Sequence, residues 1–305
     1  MDAEGVEVPE ELVTRLLQLA EVCRSLVAAW LEVGRELGDV PTSTTQAGTD
    51  AAQFAHFKSD GPPNVAFAPG QYAGLYVDAM GQQLQAVEAL LRAQRLTLGP
   101  WPLVRAELEF AGRVAWLLEP KLGERSGERR VARFYLEVLS SLQRERFTAG
   151  KFDRARAKLV KREREAKLAE ARSVFGEIDV DFSSMGKLAE WTIHGETLAG
   201  LGQGASLFVD VCFTNASALY DFLSDFSHPS LTALLRQTKK VEVDGVVRRP
   251  FVADGNAIEH QARLACVIFY KACHLVAAYY ALDGAPLERW AGDAPSSWFN
   301  EEPGI

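Results

Sequence analysis

Apolar residues recur at the 3.6-residue period of helices along most of this chain. Leu12, Leu16, Leu19, Val22, Cys23, Leu26, Trp30 and Val33 share one face of a segment that opens at Pro9 and closes at Gly38. Its first turn holds Glu10 and Glu11, where carboxylates meet the positive end of the helix dipole, so a long amphipathic helix is predicted. Further helices are predicted over Gly70–Arg95, Trp101–Glu119, Glu128–Phe147 and Ser184–Gly195, with a charged helix within 144–175. Ala205–His228 and Gly255–Gly284 are apolar on nearly every face, which places both in the centre of a bundle. Residues 41–70, rich in Thr, Gly and Pro, read as an irregular loop with at most a helical turn near Ala51–Phe57. Between 239 and 252, valines alternate on either side of Asp244-Gly245, a dipeptide that accepts the positive φ angles of a two-residue turn. The expected fold is all-α: one domain over 1–305, a multi-helix bundle with a β-hairpin inserted near 240–250 and an irregular C-terminal strap over 284–305. No internal repeat is evident.

Composition supports a packed core, with 48% of the 305 residues hydrophobic and 24% charged. The acidic N-terminus lacks the basic start and apolar middle of a signal peptide, and no uninterrupted apolar run reaches membrane-spanning length. A cytoplasmic protein without a membrane partner is expected. Cys23, Cys212, Cys266 and Cys273 lie within apolar patterns with no Cys-x-x-Cys pair, so they read as buried thiols. Charge changes the picture more. The chain carries −8 overall, yet Arg144 to Arg172 holds eleven Lys or Arg against five Asp or Glu, a net +6, leaving −14 elsewhere. An acidic body therefore carries one basic rod, whose cations could track phosphates. The rod is expected to be free of interleaved aromatics, so a plain solvated helix remains the competing reading.

Candidate chemistry lies on two apolar helices. In Trp101–Glu119, the residues Arg105, Glu109 and Arg113 form a ladder of opposite charges at four-residue spacing, on a helix with few sides left for solvent. Buried charges are retained only when paired, so the ladder is either an internal ion-pair network or the lining of a pocket in which Arg105 clamps an anion and Glu109 moves a proton. In "ALYDFLSDFSHPS", Tyr220, Ser224 and His228 recur every four residues and form one polar stripe, with Asp225 placed to fix the imidazole. His228 reads either as a general base or as a helix-end cap ahead of Pro229. His260 and His274 stand about 21 Å apart on one helix, too far for one metal, and no Glu-x-x-His pair, phosphate loop or nucleophile elbow is present. No metal or cofactor is expected. "GLGQGAS" reads as a flexible joint before the next helix.

The pairing of "WPLVRAELEFAGRVAWLLEP" with Tyr-x-x-x-Ser-x-x-x-His-Pro resembles a family of uncharacterised helical proteins from actinobacteria, and distantly resembles HEPN-type bundles, over roughly Tyr72 to His228. HEPN ribonucleases join an Arg to a His four to six residues later and cleave RNA at a dimer interface. In this sequence Phe222, Leu223 and Ser224 stand where that arginine would be. The resemblance thus implies His228 as general base, Arg105 supplied from another helix, and a homodimer. Two ligand classes follow: RNA, in nucleic-acid-related or defence biology, or a small molecule held between the central helices.

Overall fold

The sustained helical period is interrupted mostly at joints rich in glycine, proline and threonine, and at Asp153, and those joints set the element order. The computed structural model describes residues 10–37, 42–58, 65–94, 100–214, 218–227, 231–236, 238–243, 246–249, 254–295 and 298. Eleven α-helices run through them: α1 (Glu10–Val33), α2 (Gln46–Phe57), α3 (Ala68–Ala93), α4 (Trp101–Leu118), α5 (Ser126–Phe152), α6 (Arg154–Phe175), α7 (Leu201–Cys212), α8 (Leu219–Ser227), α9 (Leu231–Arg236), α10 (Gly255–Tyr280) and α11 (Ala285–Asp293). Two antiparallel pairs join them, β1 (Thr192–Ile193) with β2 (Glu196–Thr197), and β3 (Val241–Val243) with β4 (Val246–Arg248). The fold is all-α with the hairpin inserted where the valine pattern predicts it, Val243 opposite Val246. The turn at Asp244 and Gly245 lies outside the described residues.

The bundle is built around α10, which packs against α1, α2, α3 and α4. It is the one described helix long and apolar enough to cross a membrane, and 72% of its apolar window is buried inside the bundle, as in a core helix. Around it, Leu16, Leu19, Cys23, Leu26 and Trp30 of α1 and Val77, Met80, Leu84, Val87 and Leu91 of α3 are buried at three- and four-residue spacing. Each such side chain removed from water contributes roughly 1.5–3 kcal/mol. Where α4 crosses α7, a Cβ on Gly112 would lie 2.6 Å from the backbone of Gly204 and Ala205. The two glycines let the helix backbones touch.

The end of α4 shows why charged residues sit inside. Its last carbonyls have no intrahelical donor, and Pro120 prevents continuation. Arg130 of α5 donates to the carbonyls of Leu118 (3.0 Å) and Glu119 (2.9 Å), and Arg133 to that of Trp116 (2.5 Å). Arg130 also pairs with Asp50 of α2, whose carboxylate accepts from Ser126 Oγ at 2.6 Å, Gln46 Nε2 at 2.9 Å and Tyr279 Oη at 3.0 Å. A buried ion pair is tolerated when its remaining hydrogen bonds are filled, and these are.

The structure differs from the sequence expectation in five places. Within 41–70, α2 is a full helix: Thr45 caps it by accepting from Gly48 N at 3.0 Å, and the buried Asp50 and Phe54 tie it to the core. Its stability is tertiary, so its weak apolar pattern hides it. The segment 205–228 is not one helix, because α7 begins at Leu201, includes the supposed joint, and ends at Cys212 well before α8. The segment 184–195 is a 3-10 turn at Met185–Glu190 followed by β1 and β2, with His194 (φ 50°) and Gly195 (φ 77°) in the left-handed region that a two-residue hairpin turn requires. The charged rod is a helical hairpin: Asp153 ends α5 and caps α6, accepting from the amides of Ala155 (2.9 Å) and Arg156 (3.0 Å). Lastly, 284–305 is not all irregular, since α11 forms behind Pro286 and buries Trp290, whose Nε1 donates to the Val22 carbonyl at 3.1 Å.

Candidate functional site

Two regions carry the polar chemistry, one on α4, α7 and α8, the other at the far end of α5 and α6. On α4, the four-residue spacing brings Arg105 Nε to 3.1 Å from Glu109 Oε1, with side chains 18% and 22% exposed. α8 supplies Tyr220, whose hydroxyl lies 3.5 Å from Arg105 Nη2 and whose ring centroid is 5.7 Å from the guanidinium carbon, within cation–π range. Arg105, Glu109 and Tyr220 therefore meet. Tyr220 also borders an open groove of about 540 Å³ between α7 and α8, shared with Gln203, Ser206, Leu207, Asp210 and Asp221. Ser224 follows one turn later and is half-buried, while Asp225 is exposed. His228 lies outside the described residues.

Arg113 does not join this group. It turns into the core, where Nη1 lies 3.3 Å from Glu137 Oε2 and donates to the Ala199 carbonyl at 2.8 Å, both charged side chains being 5% exposed. Glu137 also accepts from the Tyr76 hydroxyl at 2.7 Å, and burial with this neighbouring carboxylate raises the Tyr76 pKa. The ladder thus splits, with one rung against Tyr220 of α8 and one end locking α3, α4 and α5 together.

Two residues near this region escape a reading based on spacing alone. Glu107 is fully buried, and neither of its carboxylate oxygens has a hydrogen-bond partner. Burial, and secondarily the nearby Cys23, pushes its carboxyl well above the usual range, which favours the neutral acid. Beside it Cys23 and Cys266 bring their sulfurs to 3.6 Å. The signal was its register, since Val104, Glu107, Leu108 and Ala111 share the core face of α4. His260 is the second. Its ring packs 6.1 Å from Trp101 and 6.3 Å from Phe222, and burial, then Arg263, lowers its pKa. Only the fold places it beside the start of α4.

The second region is the α5–α6 hairpin. The helices run antiparallel: Tyr135 Oη donates to Glu170 Oε1 at 2.8 Å near the base, Arg164 bonds Gln143 further out, and Arg156 pairs with Glu145 near the tip. α6 turns Val160, Arg164, Ala171 and Val174 inward, while Arg154, Arg156, Lys158, Lys161, Arg162 and Arg172 face water. Between Arg144 and Arg162 there are eight Lys or Arg and two Asp or Glu, a net +6 concentrated in the distal half. Among the described residues, no carboxylate lies within ion-pair distance of Arg144, Arg146, Arg154, Lys158 or Arg162. Arg154, Lys158 and Arg162 recur every four residues, about 6 Å apart along one face of α6. Against the expectation of a rod free of aromatics, Phe147 and Phe152 stand exposed at the tip, at 49% and 86%.

Comparison with protein-family models, curated proteins and solved structures finds no match. The likeness to HEPN-type bundles and to an actinobacterial family rests on the short motifs alone.

Proposed function

We propose that this protein binds a nucleic-acid backbone through the α5–α6 hairpin. The observation that carries this reading is the concentration of +6 on the distal half of that hairpin, on a chain whose remaining residues carry a net −14, with a row of cations that no carboxylate among the described residues neutralises. An ordinary solvated helix of this length balances its charges through i,i+4 pairs. Here the distal half of the hairpin has two ion pairs, Arg156 with Glu145 and Lys161 with Glu165. Cations that meet phosphates release counterions, so affinity falls with salt in proportion to the phosphates contacted. The acidic body repels the same polymer and confines contact to the hairpin.

Fluorescence anisotropy with labelled RNA and DNA oligonucleotides across a salt series tests the reading. Binding at low salt with a log–log slope of about −3 to −5 is expected for four to seven phosphate contacts, together with loss of binding in the Arg154→Glu, Lys158→Glu, Arg162→Glu variant and an unchanged circular dichroism spectrum. Absence of binding by the wild type at 20 to 50 mM salt, on the order of the weakest screening in use, rejects it. Ribonuclease activity is not part of the proposal.

A second reading, a small-molecule site, is favoured by one observation: the Arg105–Glu109 pair contacts Tyr220, which itself lines an open groove. Arg105 would hold an anionic group of the ligand. Thermal-shift screening against small carboxylates and phosphates, with Arg105→Ala as control, checks it, and stabilisation that survives in the control counts against it.

A further inference from the structure

Phe152 is the last residue of α5 and, at 86%, the most exposed large apolar side chain among the described residues. Phe147 stands half-exposed on the same end of the hairpin, with the Lys151 ammonium 4.6 Å from its ring centroid. Nothing lies within 4 Å of the position a Cβ on Gly150 would take, so the tip between the two rings is open. Arg154 and Lys158 are exposed and Arg146 half-exposed within six residues of one ring or the other, and Asp153, the residue after Phe152, is occupied in capping α6. Five residues apart on α5, the two rings point about 140° away from each other, so each offers its own face, and the exposed cations of the tip add an affinity for phosphates to that for flat π-surfaces.

We infer that the tip of the α5–α6 hairpin takes single-stranded nucleic acid, its bases stacking on Phe152 and Phe147 while Lys151, Arg154 and Lys158 hold the flanking phosphates; this rests on the nucleic-acid reading above. In a duplex the base faces are already covered by their neighbours, and a phenyl ring reaches one only after a step is unstacked. In a single strand each base offers a face, and stacking on an aromatic side chain is tolerant of sequence. Size points the same way. Two packed helices span roughly 20 Å, about 10 Å each, against a major groove about 12 Å wide, so the hairpin cannot enter a duplex groove side-on.

Two other occupants fit less well. A membrane surface would need an apolar face along the helix, but the apolar side of α6, with Val160, Ala171 and Val174, is spent against α5. Only Phe147, Phe152 and Leu159 would remain to insert. A second copy docking tip to tip would bring two +6 ends together.

The experiment compares a 20-residue oligo(dT) or oligo(U) strand with the matching duplex, using full-length wild type, Phe152→Ala, Phe152→Trp, and the Arg154→Ala, Lys158→Ala, Arg162→Ala variant. Preference for the single strand is expected. Phe152→Ala should weaken single-strand binding about 5- to 100-fold, the range for one lost stacking contact, without changing the salt slope, and Phe152→Trp should restore it. The arginine–lysine variant should flatten the slope for both forms. Equal affinity for strand and duplex, with no effect of Phe152→Ala but loss in the arginine–lysine variant, overturns the stacking inference and leaves the backbone reading standing. No binding to either form overturns both. Binding to vesicles of phosphatidylserine and phosphatidylcholine that Phe152→Ala abolishes, with oligonucleotide binding unaffected by that change, also overturns it by making the tip a membrane contact.

Discussion

In the first half of α5, Glu128, Arg130, Arg133 and Glu137 are buried, whereas in the second half Glu145 and Lys151 are exposed and Arg144 and Arg146 are half-exposed. One continuous helix therefore presents the same residue types in two environments. The inner arginines are surrounded by acceptors: Arg130 by two carbonyls and Asp50, Arg133 by the Trp116 carbonyl, Glu119 and Glu196. Several outer ones have no carboxylate in reach. Burial makes an unsatisfied charge expensive, so the inner set must be internally complete. Water satisfies the outer set and leaves its charge available to a partner. Charge count alone does not separate the two; the number of built-in acceptors does.

The largest effects should come from breaking the inner set. Arg130→Ala strands Asp50 and the last carbonyls of α4, and Glu137→Ala strands Arg113; each is expected to lower the unfolding free energy by about 3–5 kcal/mol in urea denaturation. Arg154→Ala should change it by less than about 0.5 kcal/mol. If Arg154→Ala proves as damaging as Arg130→Ala, the hairpin is part of the core and the contrast fails.

Glu107 sharpens the comparison, because it is an inner acid without any acceptor or donor. Its folded pKa lies well above the ordinary 4.5, raised by burial and then by Cys23. Between those two values the native state holds a proton that the unfolded state has released. Stability from this group is therefore full below about pH 4.5 and falls as pH rises, by up to about 1.4 kcal/mol per pH unit. Glu107→Gln removes that dependence. The variant should match wild type near pH 4.5 and gain on it as pH rises from there in pH-resolved urea titrations. A difference that stays flat with pH would mean that Glu107 is charged in the fold.

The helices were legible wherever an apolar face is long, as in α1, α3, α4 and α10, because six or more buried positions fix the period. Short or tertiary elements were not. α2 depends on a pair eighty residues apart, Asp50 with Arg130, which no local pattern shows. β1 and β2 have two residues each, too few to alternate. The reversal at Asp153 did carry a local sign, an aspartate ahead of a new helical run, but the continuous charge of the segment masks it. For the candidate site, the four-residue step from Arg105 to Glu109 was readable, while the approach of Tyr220 from 115 residues away and the departure of Arg113 to Glu137 were not. Spacing specifies which residues share a helix face; only packing specifies what that face meets.

The smallest expected effect tests which side of the comparison the Arg105 group belongs to. Arg105 and Glu109 form an i,i+4 pair with about a fifth of each side chain in water, and Arg105 also has the Tyr220 ring beneath it. Removing the carboxylate leaves the guanidinium beside the Tyr220 hydroxyl and ring at a partly exposed position, whereas Arg113 without Glu137 would be stranded in the core. Pairs of this kind contribute about 0.3–0.5 kcal/mol. Glu109→Ala is therefore expected to lower the unfolding free energy by no more than about 1 kcal/mol once lost helix-surface packing is allowed for. A loss as large as that of Glu137→Ala would place Arg105 and Glu109 with the inner, self-satisfied arginines. In that case the small-molecule reading would lose the one cation it needs, since a guanidinium committed to the core is not available to a ligand in the groove.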